Sequence, residues 1–152
     1  MILVTCGTQT QPFPRLFEAV ENVNVDQAII MQLGHTKFDT KHQHYDFSPN
    51  FSDDYNQAQV IITHGGVGSI MPGLLAHKIV IVMPRLAKYR EHVDDHQLEI
   101  TNKLQKEGYI YVINDSNELQ SLLDNLDNLE PKRYESNNAN FNQQFIEILN
   151  KL

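Results

Sequence analysis

The chain has 152 residues and a formal net charge of −7, from 12 Lys and Arg against 19 Asp and Glu. That length suits one domain with its own core, and the acidic balance, with no Lys/Arg stripe, points away from nucleic acid as a partner. Cys6 is the only cysteine, which rules out an internal disulfide and fits a reducing compartment; no apolar run approaches the ~20 residues that span a bilayer.

Residues 2–5 read as a buried strand ending in the turn Cys6-Gly7-Thr8. The five residues ahead of that turn carry no basic segment, so no signal peptide is expected. Pro12 and Pro14 precede Leu16, Phe17, Ala19, Val20 and Val23, a helical spacing with proline at its entry. Residues 27–33 form the next strand, closed by Gly34, and the polar stretch 35–43 reads as loop. A short strand over 45–47 and a short helix over 51–57 follow.

Residues 60–63 are a third apolar strand, with a helix over 70–76 behind it. Residues 79–83 are another apolar run, stopped by Pro84-Arg85. A helix is expected over 92–105 and a strand over 109–113. Leu119, Leu122, Leu123, Leu126 and Leu129 make one apolar stripe; Phe141, Phe145, Ile148, Leu149 and Leu152 make a second. That last stripe suits packing on its own domain or docking on a second protein. Strands apolar throughout and separated by helices imply a parallel sheet covered on both faces. The expected fold is α/β, a Rossmann-like doubly wound sheet in a single domain over residues 1–152. Ligands of such sheets sit beyond the C-terminal strand ends.

The chemistry gathers at those ends. Val60-Ile61-Ile62-Thr63 runs into His64-Gly65-Gly66-Val67-Gly68-Ser69, and a glycine-rich turn opening a helix presents backbone N–H groups to phosphate. Gly65, Gly66 and Gly68 allow positive φ or close approach. The plainer alternative is a tight strand-to-helix turn with no ligand. Neither the Walker nor the G-x-G-x-x-G spacing is present, which disfavours NAD. His64 is placed to donate to a phosphate, or to be satisfied by backbone.

Glu91-His92-Val93-Asp94-Asp95-His96-Gln97 is the second cluster. His92 and His96 stand i, i+4 on the expected helix, but no third metal ligand is apparent, so no metal is expected. Asp94 and Gln97 offer acceptors and donors for hydroxyls, against the alternative of solvent exposure at a helix start. Glu91 and His64 are the weak candidates for a general base, and the catalytic residue itself is unassigned. Cys6 reads as a small buried residue.

The residues Val4 to Gln9, Pro12 to Leu16, His64 to Ile70, and Pro84-Arg85 with Tyr89 and Glu91 to Gln97 resemble, in order, the motifs of the C-terminal half of family 28 glycosyltransferases. The resemblance implies one half of a GT-B enzyme, the donor-binding subunit of a split, inverting UDP-sugar transferase that needs no metal or other cofactor. A membrane-anchored subunit would supply the acceptor half and a lipid-linked sugar acceptor, placing the chain in the cytoplasm at the membrane periphery. Helices beyond about residue 115 would be candidates for that docking, and capsule or exopolysaccharide synthesis the setting. By position, Gly65, Gly66, Gly68 and Ser69 would hold the diphosphate. Gly7 and Thr8 would flank the sugar-phosphate, and Gln97, with His96 beside it and Asp94 as a weaker candidate, would hold sugar hydroxyls. Pro72 stands where the family usually has a ribose-binding Glu, so ribose recognition would have moved, to Glu91 or to a backbone group, or decayed. The alternatives are a non-catalytic stabilising subunit and a stand-alone UDP-sugar epimerase or hydrolase.

Overall fold

The computed structural model describes residues 1–135. Six strands, β1 (Ile2–Thr5), β2 (Ile29–Gln32), β3 (Gln43–Tyr45), β4 (Val60–Thr63), β5 (Ile79–Val82) and β6 (Tyr111–Val112), pair in the order β3-β2-β1-β4-β5-β6. Every pairing is parallel. The expected doubly wound sheet is therefore present, and its order reverses between β1 and β4. Loops leaving those two neighbours diverge to opposite faces, which opens a crevice at their C-terminal ends.

The helices are α1 (Pro14–Glu21), α2 (Phe51–Gln57), α3 (Val67–Leu75), α4 (His96–Lys106) and α5 (Ser116–Asp124). Alternate strand residues serve opposite faces. Ile2, Val4, Ile29, Met31, Val60 and Ile62 pack with Leu16, Phe17 and Val20 of α1 and Leu119 and Leu123 of α5. On the other face Leu3, Ile30 and Ile61 meet Tyr55 of α2, while Val80 and Val82 meet Ile70, Leu74, Ile100 and Leu104. The sheet is thus covered on both sides, which is why β1, β2 and β4 are buried end to end.

Several boundaries differ from the sequence reading. The expected strand 45–47 is instead Gln43–Tyr45, an edge strand whose polar side chains left no apolar run to read. The strand expected over 109–113 pairs only at Tyr111–Val112. The helix expected over 92–105 begins at His96, so His92 and His96 do not share a helix face. α3 begins at Val67, three residues early, which puts Pro72 in its second turn. The stripe to Leu129 bends after Asp124 into a 3-10 turn, Leu126–Asn128. The last expected helix, 141–152, lies outside the described residues. Among those described, no helix is long and apolar enough to cross a membrane.

Gly73 shows how tightly α3 seats on the sheet. A Cβ there would lie 2.7 Å from Val80 Cγ2 and 2.9 Å from the Tyr55 hydroxyl. Gly73→Ala should therefore lower stability by ~1–2 kcal/mol, overpacking outweighing the helix-propensity gain of ~1 kcal/mol. Urea unfolding midpoints check the sign, and a stabilised variant would refute it.

Candidate functional site

The crevice between β1 and β4 holds a cavity of about 550 Å³. Its β1 wall is Thr5, Gly7, Thr8 and Gln9; its β4 wall is His64, Gly66, Gly68 and Ser69; Gln32, Phe47, Ser48 and Phe51 close the remaining side. None of these lining residues is Asp, Glu, Lys or Arg. Six of the residues expected at the site meet here: Gly7, Thr8, His64, Gly66, Gly68 and Ser69. The sequence reading missed Thr5, Gln9, Gln32, Phe47, Ser48 and Phe51, because no local motif marks a wall assembled from separate strands, loops and a helix.

His64 follows β4 directly and its ring is buried, 6 % exposed. The turn is built around that ring. A Cβ at Gly7 would sit 2.4 Å from His64 Nε2, and one at Gly66 2.2 Å from Cε1. Of the four glycines expected at the site, only Gly7 has positive φ, at 73°; at 65 and 66 the requirement is space. A Cβ at Gly65 would meet the Gln97 side chain at 2.9 Å, whereas one at Gly68 meets nothing within 4 Å. Gly68 therefore faces open room beside the cavity.

Gln97 fixes the electronic state of His64. Gln97 Oε1 accepts the Gly65 N–H at 3.0 Å and the Arg85 N–H at 3.1 Å, occupying both lone pairs. That orientation leaves Gln97 Nε2 to donate to His64 Nδ1 at 3.1 Å. The His64 proton consequently resides on Nε2, 3.3 Å from Ser69 Oγ. Burial, reinforced by the Arg85 cation, lowers the His64 pKa to about 3, so the ring is a neutral N–H donor. Gly66 is the N-cap of α3 and no side chain caps it; the Ser69 N–H bonds the Gly66 carbonyl at 3.1 Å, so the N–H groups ahead of Ser69 and the helix dipole are what the turn offers to the cavity.

This geometry revises several expected roles. Gln97 is 5 % exposed, does not line the cavity, and has no free acceptor for sugar hydroxyls; it holds the turn. Glu91 is bound in a bidentate pair by Arg15, Nε to Oε2 at 3.1 Å and Nη2 to Oε1 at 2.9 Å, and also accepts the Leu86 N–H. Its oxygens are thereby occupied by protein donors, and it does not line the cavity. Asp94 lies 3.1 Å from His92 Nδ1 and 3.2 Å from His96 Nδ1, a local cluster ahead of α4 and outside the cavity wall. Among the described residues no group of three or more His, Cys, Asp or Glu is arranged to hold a metal.

Arg85, quoted in the sequence but given no role, is fully buried. Its Nη1 donates to the carbonyls of Gln11 and Glu91, its Nη2 to that of Cys6, and it lies 4.9 Å over the Phe13 ring. The signal was an arginine placed just after an apolar strand. Cys6 donates its thiol to the Leu33 carbonyl at 3.0 Å; burial raises its pKa, with Arg85 acting in the opposite sense.

The family model described as "Glycosyltransferase family 28 C-terminal domain" matches residues 1–152. The chain is 26% identical over 137 residues to "UDP-N-acetylglucosamine transferase subunit ALG13" of Yarrowia lipolytica, spanning 76% of this chain and 66% of that protein. Its fold is similar to the solution structure of ALG13, with a TM-score of 0.61 and 21% identity, covering 96% of this chain and 94% of that one. It also aligns with the kitacinnamycin glycotransferase (TM-score 0.57, 19% identity) and the calicheamicin glycosyltransferase CalG4 (0.59, 12%), covering 38% of each and 99% and 98% of this chain. The domain thus has the Rossmann-like fold of one half of a GT-B glycosyltransferase.

The neutral, buried state of His64 has a pH signature. Below its ordinary pKa near 6.5 the unfolded chain takes up a proton that the native ring refuses until about pH 3. Stability is therefore full above that range and falls as pH drops. Between pH 6.5 and 5 the wild type should lose ~1–2 kcal/mol that His64→Asn does not. Urea unfolding at both pH values checks this; parallel slopes would refute it.

Proposed function

The chain belongs to the glycosyltransferase family 28 C-terminal domain family, and on that premise we propose that it is the donor-binding subunit of a two-subunit, inverting UDP-sugar transferase. The observation that carries this reading is the uncapped N-terminus of α3 opening on a cavity beside a neutral imidazole N–H and Ser69. A diphosphate there is held by backbone amides, hydroxyls and the helix dipole. Gly66, Gly68, Ser69 and His64 contact it, and Gly7 and Thr8 flank the sugar-phosphate.

The acceptor hydroxyl attacks the anomeric carbon as the C–O bond to UDP breaks, and the acceptor proton passes to a base on the second subunit. The charge developing on the leaving diphosphate is met by donors already in place, with Arg85 as a buried positive charge behind His64. Two observations support a metal-independent mechanism: the cavity lining has no carboxylate, and the N–H array supplies the stabilisation a cation otherwise would. Similarity to a protein named as a subunit of UDP-N-acetylglucosamine transferase favours UDP-GlcNAc as donor. It also favours a second glycosyltransferase subunit that brings a lipid-linked acceptor to the membrane surface.

Calorimetric titration of the purified chain with UDP, UDP-GlcNAc, UDP-glucose and UDP-galactose in EDTA tests the reading. Metal-free binding with UDP-GlcNAc tightest is expected; no binding by any of the four would refute it. Gly68→Ala separates ligand approach from folding, since its Cβ meets no protein atom. Its stability should be unchanged or raised by ~0.5–1 kcal/mol, while UDP affinity falls about tenfold through contact with the methyl group. Equal UDP affinity in variant and wild type would remove Gly68 from the site.

A further inference from the structure

A second cavity, of about 330 Å³, lies at the opposite end of the sheet, where β5 begins at Ile79. The turn after α3 gives it His77 and Lys78, and the segment after Pro131 gives it Lys132 and Arg133. Among the described residues no Asp or Glu lines it, in a chain where acids outnumber Lys and Arg by 19 to 12. The Lys132 N–H donates to the Gly108 carbonyl at 2.8 Å, and the Tyr109 and Tyr134 rings meet edge-on at 5.6 Å. Both rings are buried, and both residues line the cavity. The tertiary structure thus joins two segments distant in sequence into one basic wall.

The protein answers these charges only in part. Lys78 Nζ donates to the neutral carbonyls of Asn56 and Ala58, and burial lowers its pKa. Lys132 Nζ sits 5.3 Å over the Tyr109 ring. Glu107, the acid whose field reaches Lys132, is bound by Lys103 at 2.9 Å; Glu130 and Glu135 flank the segment in sequence without lining the cavity. Arg133 and His77 are exposed and have no hydrogen bond or ion pair among the described residues. His77 is also costly to the backbone. Its φ is 56°, its N–H bonds the Leu74 carbonyl and the Lys78 N–H bonds the Gly73 carbonyl, the helix ending that glycine usually occupies. A histidine there is strained, and its exposed ring adds no core packing. We propose that this cavity binds a small phosphate monoester, at a site separate from the donor cavity and independent of the UDP-sugar reading. Three fixed cations and an imidazole suit a dianion, and the Arg133 guanidinium suits its paired oxygens. The volume is in the small-molecule range rather than that of a bare ion, which leaves Leu74 and the two tyrosines to meet the organic part.

Amide ¹H–¹⁵N spectra of the full chain, titrated with inorganic phosphate and with phenyl phosphate at constant ionic strength, test it. Saturable shifts are expected at His77, Lys78, Gly108 and residues 132–134, with phenyl phosphate bound about fivefold more tightly through its ring. Arg133→Gln should weaken both probes about tenfold, the scale of one charged hydrogen bond. His77→Gly should weaken both about threefold while its Tm rises by about 2 °C, the backbone strain being relieved. The proposal is overturned by shifts that never saturate, by shifts confined to Gly66–Ser69 in the donor cavity, or by wild-type affinity in Arg133→Gln. Equal affinity for the two probes overturns the monoester and leaves only an ion site. A Tm that falls in His77→Gly shows the imidazole supporting the fold and removes it from the site.

Discussion

One amide oxygen holds the C-terminal end of the sheet together. Where β4 and β5 end, their chains part, and the N–H groups of Gly65 and Arg85 leave the ladder while still buried. Both terminate on Gln97 Oε1, supplied by α4. A buried N–H left unmet costs ~1–3 kcal/mol, so this single acceptor secures two diverging loops at once. Because both its lone pairs are used, the orientation of the amide is not free, and its NH₂ must face His64. The tautomer of the histidine, and hence the direction in which it offers its proton, follows from the way two strands end.

Charge is distributed around the cavity on the same logic. Arg85 is buried against three carbonyls contributed by the loops after β1 and β5, and Arg15 binds Glu91 across those loops. Removing ions from water costs several kcal/mol each, offset only where geometry and hydrogen bonds are nearly complete. For Glu91 the condition is met by Arg15 and the Leu86 N–H. It also sets a positive charge behind a wall of neutral donors, so an anion entering the cavity meets a favourable field without a flexible cation at the surface. The cavity is preorganised, which is the property that stabilises developing charge without reorganisation.

Much of the site was legible because its elements are local. The β4–turn–α3 segment declares itself through Val60, Ile61, Ile62 and Thr63, then His64 and three glycines, and the chain order of such segments predicts a crevice at strand ends. The roles were less legible than the places. Gln97 and Glu91 read as ligand-binding groups because their side chains have the right donors and acceptors, yet both are consumed by partners 32 and 76 residues away in sequence. Gly65 and Gly66 read as sites of positive φ and of close approach; only the second holds, and it is the side chains of His64 and Gln97 that demand it. The short polar edge strand β3 and the late start of α4 escaped because neither carries a periodic apolar signal.

By itself the sequence determined the alternation of strand and helix, the burial of the sheet on both faces and the end of the sheet at which chemistry gathers. These depend on spacing along the chain, and apolar periodicity records spacing. Tertiary structure alone decided which polar side chains remain free. A glutamine, a glutamate and an arginine close in sequence to the site are spent on satisfying backbone, while Phe47, Ser48 and Gln32 from a distant loop and strand become its wall. Hydrogen-bond capacity is allotted in space: a buried group binds whichever partner the fold brings within about 3 Å, and no local pattern specifies which one that is.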